Sequence, residues 1–252
     1  MVGIEIKELM REINKLNSYK RFPYNMVGLD LSRVAEYYIV IKSIIKHVGL
    51  VGSFILDVGT YLSPLPAWLT NNGARVISID IDTRLRYQLA IQRAVGCNLQ
   101  LVLADALRLP FKQGIFDCIV LVSTIEHFSG NGDIEFMSLI PAYITRRGIV
   151  VITLPYGEYK EGRWGRWFQR TYDCQAVHHR LVLPSGLTLL ERGFLFGAGV
   201  GKIYDLWYSL PAAVRHALGW LRWWQDLDVA APATADDARV AWIVLGRPES
   251  PL

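Results

Sequence analysis

SFILDVGTYLSPLPAWL, residues Ser53–Leu69, is the stretch whose reading decides the fold. An apolar run, Phe54–Leu56, meets Asp57 and is followed by Val58 and Gly59. A turn-rich segment and a second apolar run come next. A strand buried on both faces reads as continuous apolar sequence rather than as alternation. Gly59 supplies the backbone freedom with which the chain leaves such a strand. The N–H groups of the helix turn beyond it would then face a ligand. The stretch predicts a buried parallel strand, a tight turn and a helix, joined as a cofactor-binding βα unit.

Working downstream, the same alternation repeats. Arg75–Ile79 reads as a strand ending at Asp80, Thr83–Val95 as a helix, and Leu99–Leu103 as a short strand followed by Asp105. Ile115–Val122 reads as a fourth strand, Ile134–Thr145 as a helix and Gly148–Leu154 as a fifth strand. Such alternation implies a mainly parallel sheet with helices on both faces. Upstream, Leu9, Met10, Ile13 and Leu16 fall at helical spacing within Ile4–Leu16. Asp30 or Ser32 would cap a second helix running to about His47. Its apolar set, from Val34 to Ile45, is broad enough to pack on a sheet.

The last third is less regular. Gly157–Arg170, rich in Gly, Trp and Arg, reads as a loop or lid. Tyr172–Leu183 reads as a helix, Leu187–Phe196 as a strand, Ile203–Trp224 as an aromatic and partly helical stretch, Asp226–Asp237 as a linker and Arg239–Leu245 as a final strand. No break in composition divides the chain. Residues 1–252 are expected to form one domain, with N-terminal helices over 1–50 and a substrate-side lid or insertion around 156–235.

Composition excludes several classes. A hydrophobic fraction of 52% argues against disorder, and a formal net charge of +4 is too mild to imply a polyanion partner by itself. The longest weakly charged stretch, Val48–Ala74, is interrupted by Asp57 and by several glycines and prolines, so no transmembrane segment is expected. No signal-peptide pattern is visible at the N-terminus, and the expected location is cytoplasmic. Cys97, Cys118 and Cys174 are widely spaced and form neither a CxxC nor a zinc pattern, so no metal is expected.

Three acids, Asp57, Asp80 and Asp105, stand at or just after the ends of successive predicted strands. In an open parallel sheet those ends line one crevice, where ligands bind. Asp80 lies 21 positions after Gly59, the spacing of an acid that holds ribose hydroxyls in nucleoside-binding folds, and Asp82 is a second candidate for that role. Here the sequence resembles a class I S-adenosylmethionine-dependent methyltransferase. The resemblance is carried by LDVG (Leu56–Gly59), VISIDID (Val76–Asp82), ADALRLPF (Ala104–Phe111), FDCIVLVSTIEHF (Phe116–Phe128) and GIVVITLPYG (Gly148–Gly157), in the family's order and spacing. It implies a three-layer Rossmann-like α/β sandwich on a seven-stranded, mostly parallel sheet whose last strand, Arg239–Leu245, is antiparallel. It also implies S-adenosyl-L-methionine as cofactor. Asp57, Gly59, Thr60 and Tyr61 would surround its methionine portion, Asp80 with Ile81 its ribose, Asp105 with Ala106 its adenine, and Ser123 would border it.

The resemblance breaks at the glycine turn. The family carries three glycines at alternate positions, whereas Tyr61 and Ser63 follow Gly59 here. A tyrosine disfavours positive φ and adds bulk. Either Tyr61 points away and its backbone still binds, or cofactor binding is weak or lost. A dinucleotide reading fits less well, because Pro64 has no N–H to offer a pyrophosphate.

Glu126-His127 follows the fourth strand, and His127 is the candidate base, with a purely structural role for the pair as the alternative. Motifs for methylation of nucleic-acid bases and of protein arginine are missing. The expected acceptor is therefore a small molecule or a saccharide-like compound. YGEYKEGRWGRWFQR, Tyr156–Arg170, interleaves Lys160, Arg163, Arg166 and Arg170 with aromatic residues. Tyr156, Arg163, Trp164 and Trp167 are its candidate acceptor-binding residues. Two alternatives remain: an RNA methyltransferase using the Arg/Trp segment, or a non-catalytic binding module with a degenerate turn. The aromatic stretch Tyr204–Trp224 suits core packing or a homodimer contact, with a membrane-facing patch as the alternative, and in the methyltransferase reading it would form the acceptor pocket together with Tyr156–Arg170.

Overall fold

The continuous apolar run at Phe54–Val58 forms β1, the strand around which the sheet is ordered. β2 (Arg75–Asp80) pairs with it on one side and β4 (Phe116–Val122) on the other, both parallel. β3 (Gln100–Leu103) extends the sheet beyond β2, and β5 (Ile144–Pro155) beyond β4. After a hairpin of β6 (Lys160–Trp164) and β7 (Trp167–Thr171), the chain adds β8 (Thr188–Leu195) and β9 (Val240–Gly246). β9 lies antiparallel between β5 and β8, giving seven strands in the order 3-2-1-4-5-9-8. This is the Rossmann-like sheet that the sequence implied, with its last strand antiparallel. The computed structural model describes residues 6–20, 31–164, 167–211, 214–215 and 231–248. Asp30 as a helix cap, Arg166, the end of the aromatic stretch and the start of the linker lie outside the described residues.

Burial on both faces explains the unbroken apolar pattern of the central strands. Ile55 joins a core with α1 (Ile6–Ser18), α2 (Leu31–His47) and α3 (Leu65–Asn71), while Leu56 and Val58 join a core on the opposite face with Phe136 and Met137 of α5 (Gly132–Leu139). The parallel register sets Val58 beside Ile79 and Leu121, and Asp80 beside Leu103. The carboxyl ends of β1 to β4 therefore open on one edge. The strand order reverses between β1 and β4, which is where open α/β sheets bind ligands.

Several elements differ from expectation for local reasons. Ser32 lies inside α2 rather than capping it, and its hydroxyl meets the Tyr208 hydroxyl at 2.8 Å. Thr83–Gln88 is a 3-10 turn capped by Asp82, and α4 (Leu89–Val95) begins only after it. α5 stops at Leu139, because Pro141 lacks the N–H needed to extend it. Gly157–Arg170, expected as a loop or lid, contains the β6–β7 hairpin. Its sequence lacks period-two apolar alternation, because the hairpin is a separate two-stranded sheet outside the main one.

The hairpin is anchored by charge. Arg170 is fully buried and meets Asp133 at 2.9 Å and Glu161 at 2.9 Å, and donates to the Gly130 and Phe128 carbonyls. Asp133, also buried, takes two further hydrogen bonds from Arg180 and one from the Tyr172 hydroxyl. The network ties β7, the loop after β4 and the helical segment containing Arg180 into one unit. Arg170 is thus committed to protein carboxylates and carbonyls rather than presented at the surface.

Candidate active site

The turn after β1 keeps its shape without the missing glycines. Gly59 has φ +76°, and a Cβ there would lie 2.1 Å from Thr124 Cγ2. Glycine is required twice over, by backbone conformation and by the approach of the loop after β4. Tyr61, at the family's second glycine position, adopts φ +42°, the left-handed conformation a glycine would take. This costs a non-glycine residue about 1–2 kcal/mol. Neighbouring contacts hold it there. The Tyr61 N–H donates to Asp80 Oδ2 at 2.6 Å, Gln88 Nε2 donates to the Tyr61 carbonyl at 3.0 Å and to Thr60 Oγ1 at 2.7 Å, and the Arg84 guanidinium lies 4.7 Å from the centre of the Tyr61 ring. The backbone at Tyr61 thus takes the glycine-like geometry. Ser63, at the third position, donates to the Tyr37 hydroxyl at 2.9 Å and accepts from the Leu65 N–H at 3.2 Å, stabilising the start of α3.

The acids take three different environments. Asp57 is buried, and burial pushes its carboxyl up to about 6 against the opposing hydroxyls of Thr60 and Ser78. Asp80 accepts from the Asp82 N–H at 2.7 Å through Oδ1 and from the Tyr61 N–H through Oδ2. Burial raises its pKa, while these N–H groups oppose the rise. Asp105 caps the 3-10 turn Ala106–Arg108 by accepting from the Leu107 N–H at 2.9 Å. Asp82 is held by Arg84 and caps the turn after β2, a structural task that leaves Asp80 as the acid at the strand end.

On the far side of the crevice, Ser123 has φ +45° and donates its hydroxyl to Glu36 Oε1. Glu36 also accepts from Thr153 Oγ1 at 2.8 Å and from Arg33 at 2.8 Å, so a single buried acid joins α2 to the ends of β4 and β5. Among the described residues, two of the three non-glycine residues with positive φ, Tyr61 and Ser123, thus flank the same crevice, where strained backbone tends to collect.

His127 sits beneath the hairpin, with Nδ1 2.7 Å from the Phe168 carbonyl. A carbonyl only accepts, so Nδ1 carries the proton and Nε2 is left as the basic nitrogen. Burial lowers the pKa of the ring, favouring the neutral form. Glu126 is buried beside it, with Oε1 4.0 Å from His127 Nε2, and burial pushes its carboxyl up to about 8 despite the nearby Arg33. Protonated Glu126 stabilises the fold below pH 4.5, and that contribution is lost as the pH rises through about 8. Glu126→Gln is therefore expected to flatten the loss of melting temperature between pH 5 and 9 relative to the parent chain. Parallel pH–Tm curves for the two proteins would contradict this.

One cavity of about 750 Å³ opens at this edge. Every residue expected at the cofactor lines it: Asp57, Gly59, Thr60, Tyr61, Asp80, Ile81, Asp105, Ala106 and Ser123. His127 and Trp167 line it too. Tyr156 and Arg163 do not. Tyr156 is buried with its hydroxyl 2.9 Å from Cys174 Sγ, and Arg163 is exposed on β6. The side chain of Trp164 lies outside the described residues. Trp207 and Arg215, from the aromatic stretch expected to help form the acceptor pocket, line the cavity, whereas the wall supplied by the N-terminal helices, Asn17, Lys20, Arg33 and Tyr37, was missed by sequence reasoning. A signal was present at Glu36, a lone acid on the stripe of α2 that also carries the buried Val40 and Ile44.

Residues 56–150 match the family model described as "Methyltransferase domain". A comparison with curated proteins gave no match. Among solved structures, the chain is similar to a Burkholderia thailandensis 1,6-didemethyltoxoflavin-N1-methyltransferase solved with its acceptor and S-adenosylhomocysteine (12% identity, 87% of this chain and 79% of that one, TM-score 0.59). It is also similar to an S-adenosylmethionine-dependent methyltransferase from Clostridium acetobutylicum (11% identity, 87% and 93%, TM-score 0.58) and to the [4+2]-cyclase SpnF (15% identity, 99% and 98%, TM-score 0.59). The domain match over residues 56–150 and the fold are those of class I S-adenosylmethionine-dependent methyltransferases. No described helix is long and apolar enough to cross a membrane.

Proposed function

We propose that the protein transfers a methyl group from S-adenosylmethionine to a small-molecule or saccharide-like acceptor bound in the same cavity. The observation that supports this most is that the cavity is larger than its cofactor edge: it continues past Gly59 and Ser123 to Tyr37 and Trp207. The donor set suits the cofactor. Each Asp80 oxygen accepts one backbone N–H and retains a lone pair for a ribose hydroxyl. Asp105 Oδ1 is occupied by Leu107, so Oδ2 is the oxygen for an adenine amino group. Ile81 is 72% exposed, an apolar side chain at the cavity wall that a purine face would cover.

When bound, the cofactor supplies an electrophilic sulfonium methyl. The chain's own contribution is to orient the acceptor in near-attack geometry and to exclude water. His127 Nε2 is the group suited to take the proton that an acceptor hydroxyl or amine loses. Trp167 of the hairpin supports a role for the segment around 156–235 as a lid, since Arg84 lies between the Tyr61 ring (4.7 Å) and the Trp167 ring (5.9 Å) at the cavity wall.

Incubation with methyl-labelled S-adenosylmethionine, a dialysable small-molecule extract and total RNA tests the acceptor class. Label is expected in the small-molecule fraction. Label confined to RNA would favour the nucleic-acid alternative, and a similar fold carrying a [4+2]-cyclase is the reason that label in neither fraction would count against methyl transfer.

A further inference from the structure

The cavity has two ends of opposite charge. Asp57, Asp80 and Asp105 line the end formed by the strand termini, whereas Lys20, Arg33 and Arg215 line the wall built by the N-terminal helices and the C-terminal third. These cations come from three separate parts of the chain, which a single charged helix face would not require. We propose that the acceptor carries an anionic oxygen group, a carboxylate or a phosphate ester, held by Lys20, Arg33 and Arg215, on an aromatic or apolar body. The proposal rests on the methyltransferase reading for the position of the acceptor, and on the cavity alone for its charge.

Lys20 carries the argument furthest. It is only 7% exposed, and among the described residues its ammonium donates to the neutral Asn17 Oδ1, with no carboxylate in ion-pair contact. Burial lowers its pKa to about 7, as expected for an amine withdrawn from water without a counter-charge. A buried cation is costly unless paired, and an incoming anion would supply the pair. Arg33 is different. Its Nη1 is shared with Glu36, which is itself occupied by Ser123 and Thr153, and its side chain remains 32% exposed at the cavity wall.

Arg215 is positioned by stacking. Its guanidinium lies 5.0 Å from the centre of the Tyr208 ring, and the Tyr208 hydroxyl meets Ser32, the residue beside Arg33. Tyr208 therefore joins the two arginine-bearing parts of the wall. Trp207 and Tyr37, which also line the cavity, supply flat surfaces for an aromatic or apolar body. A neutral polyol would be better matched by carboxylate and amide acceptors than by three cations. A polynucleotide would call for an exposed basic surface, and Arg170, the buried base of the hairpin, does not contribute to one.

Calorimetric titration of the full chain with benzoate, phenyl phosphate and benzyl alcohol tests the proposal, with and without saturating S-adenosylhomocysteine. At least one anion is expected to bind about tenfold or more tightly than the alcohol, the scale of one charge-assisted hydrogen bond, and the stronger anion separates carboxylate from phosphate. Lys20→Met should reduce that preference and Lys20→Arg should retain it, both with unchanged affinity for S-adenosylhomocysteine. Equal binding of benzyl alcohol, no measurable binding of either anion, or a preference unaltered by Lys20→Met would overturn the proposal. Absent binding of S-adenosylhomocysteine would instead count against the cofactor assignment, while the titrations without it would still read the charge preference.

Discussion

Gly59→Ala is expected to remove cofactor binding and to lower the stability of the fold. The new methyl group would meet three atoms of Thr124 at 2.1, 2.5 and 2.9 Å, the last being its Cβ, so rotation of the threonine side chain cannot relieve the contact. Overpacking of this kind costs about 1–3 kcal/mol, and forcing alanine to φ +76° adds about 1–2 kcal/mol. The N–H groups of Gly59 and Thr60 both donate to the Ile79 carbonyl, at 2.9 and 3.2 Å, so displacement of the turn also loosens the end of β2. Affinity for S-adenosylhomocysteine should fall by about 100-fold or more, the equivalent of roughly 2.7 kcal/mol. Gly59→Ala combined with Thr124→Gly separates the two causes, because it removes the clash and leaves the backbone strain. Near-parental affinity and melting temperature in the single variant would show that the turn is not the binding element described here.

Asp80→Ala has the second largest expected effect. It removes the carboxylate that is proposed to hold the ribose and also frees the N–H groups of Tyr61 and Asp82. Hydrogen bonds to a charged group contribute about 1.5–3 kcal/mol each, so affinity for S-adenosylhomocysteine should fall by at least about 100-fold. Asp80→Asn is the sharper variant. It keeps one acceptor oxygen for one backbone N–H but turns an amino group towards the other N–H or the ribose. Its affinity should lie between the parent and Asp80→Ala, with a smaller change in melting temperature. If Asp80→Ala lowered the melting temperature and left binding intact, Asp80 would be a turn anchor only.

The centre of the sheet was legible because β1, β2, β4 and β5 are buried on both faces. Leu56 and Ile55 enter opposite cores, and such strands show as unbroken apolar runs with acids at their ends. The cofactor edge was legible for the same reason, since parallel register carries successive strand ends to one side. The conformation of Tyr61 was not. A tyrosine at positive φ is held by Asp80, Gln88 and Arg84, contacts that arise only after β2 and the turn beyond it have folded beside β1. The hairpin was hidden because its anchor is Arg170 on the buried Asp133, a long-range ion pair with no sequence periodicity. Lys20 and Arg33 were hidden as parts of the proposed acceptor wall, because they meet Arg215 of the expected aromatic stretch only in three dimensions.

A turn with Tyr61 and Ser63 in place of two glycines is proposed still to bind S-adenosylmethionine, because Tyr61 takes the glycine-like conformation and Asp80 holds it. Calorimetric titration of S-adenosylhomocysteine into the intact protein, alongside Asp80→Ala, tests this most directly. Saturable binding by the parent chain and its loss in the variant are the predicted result. No detectable binding by the parent chain, or equal binding by both proteins, would contradict it.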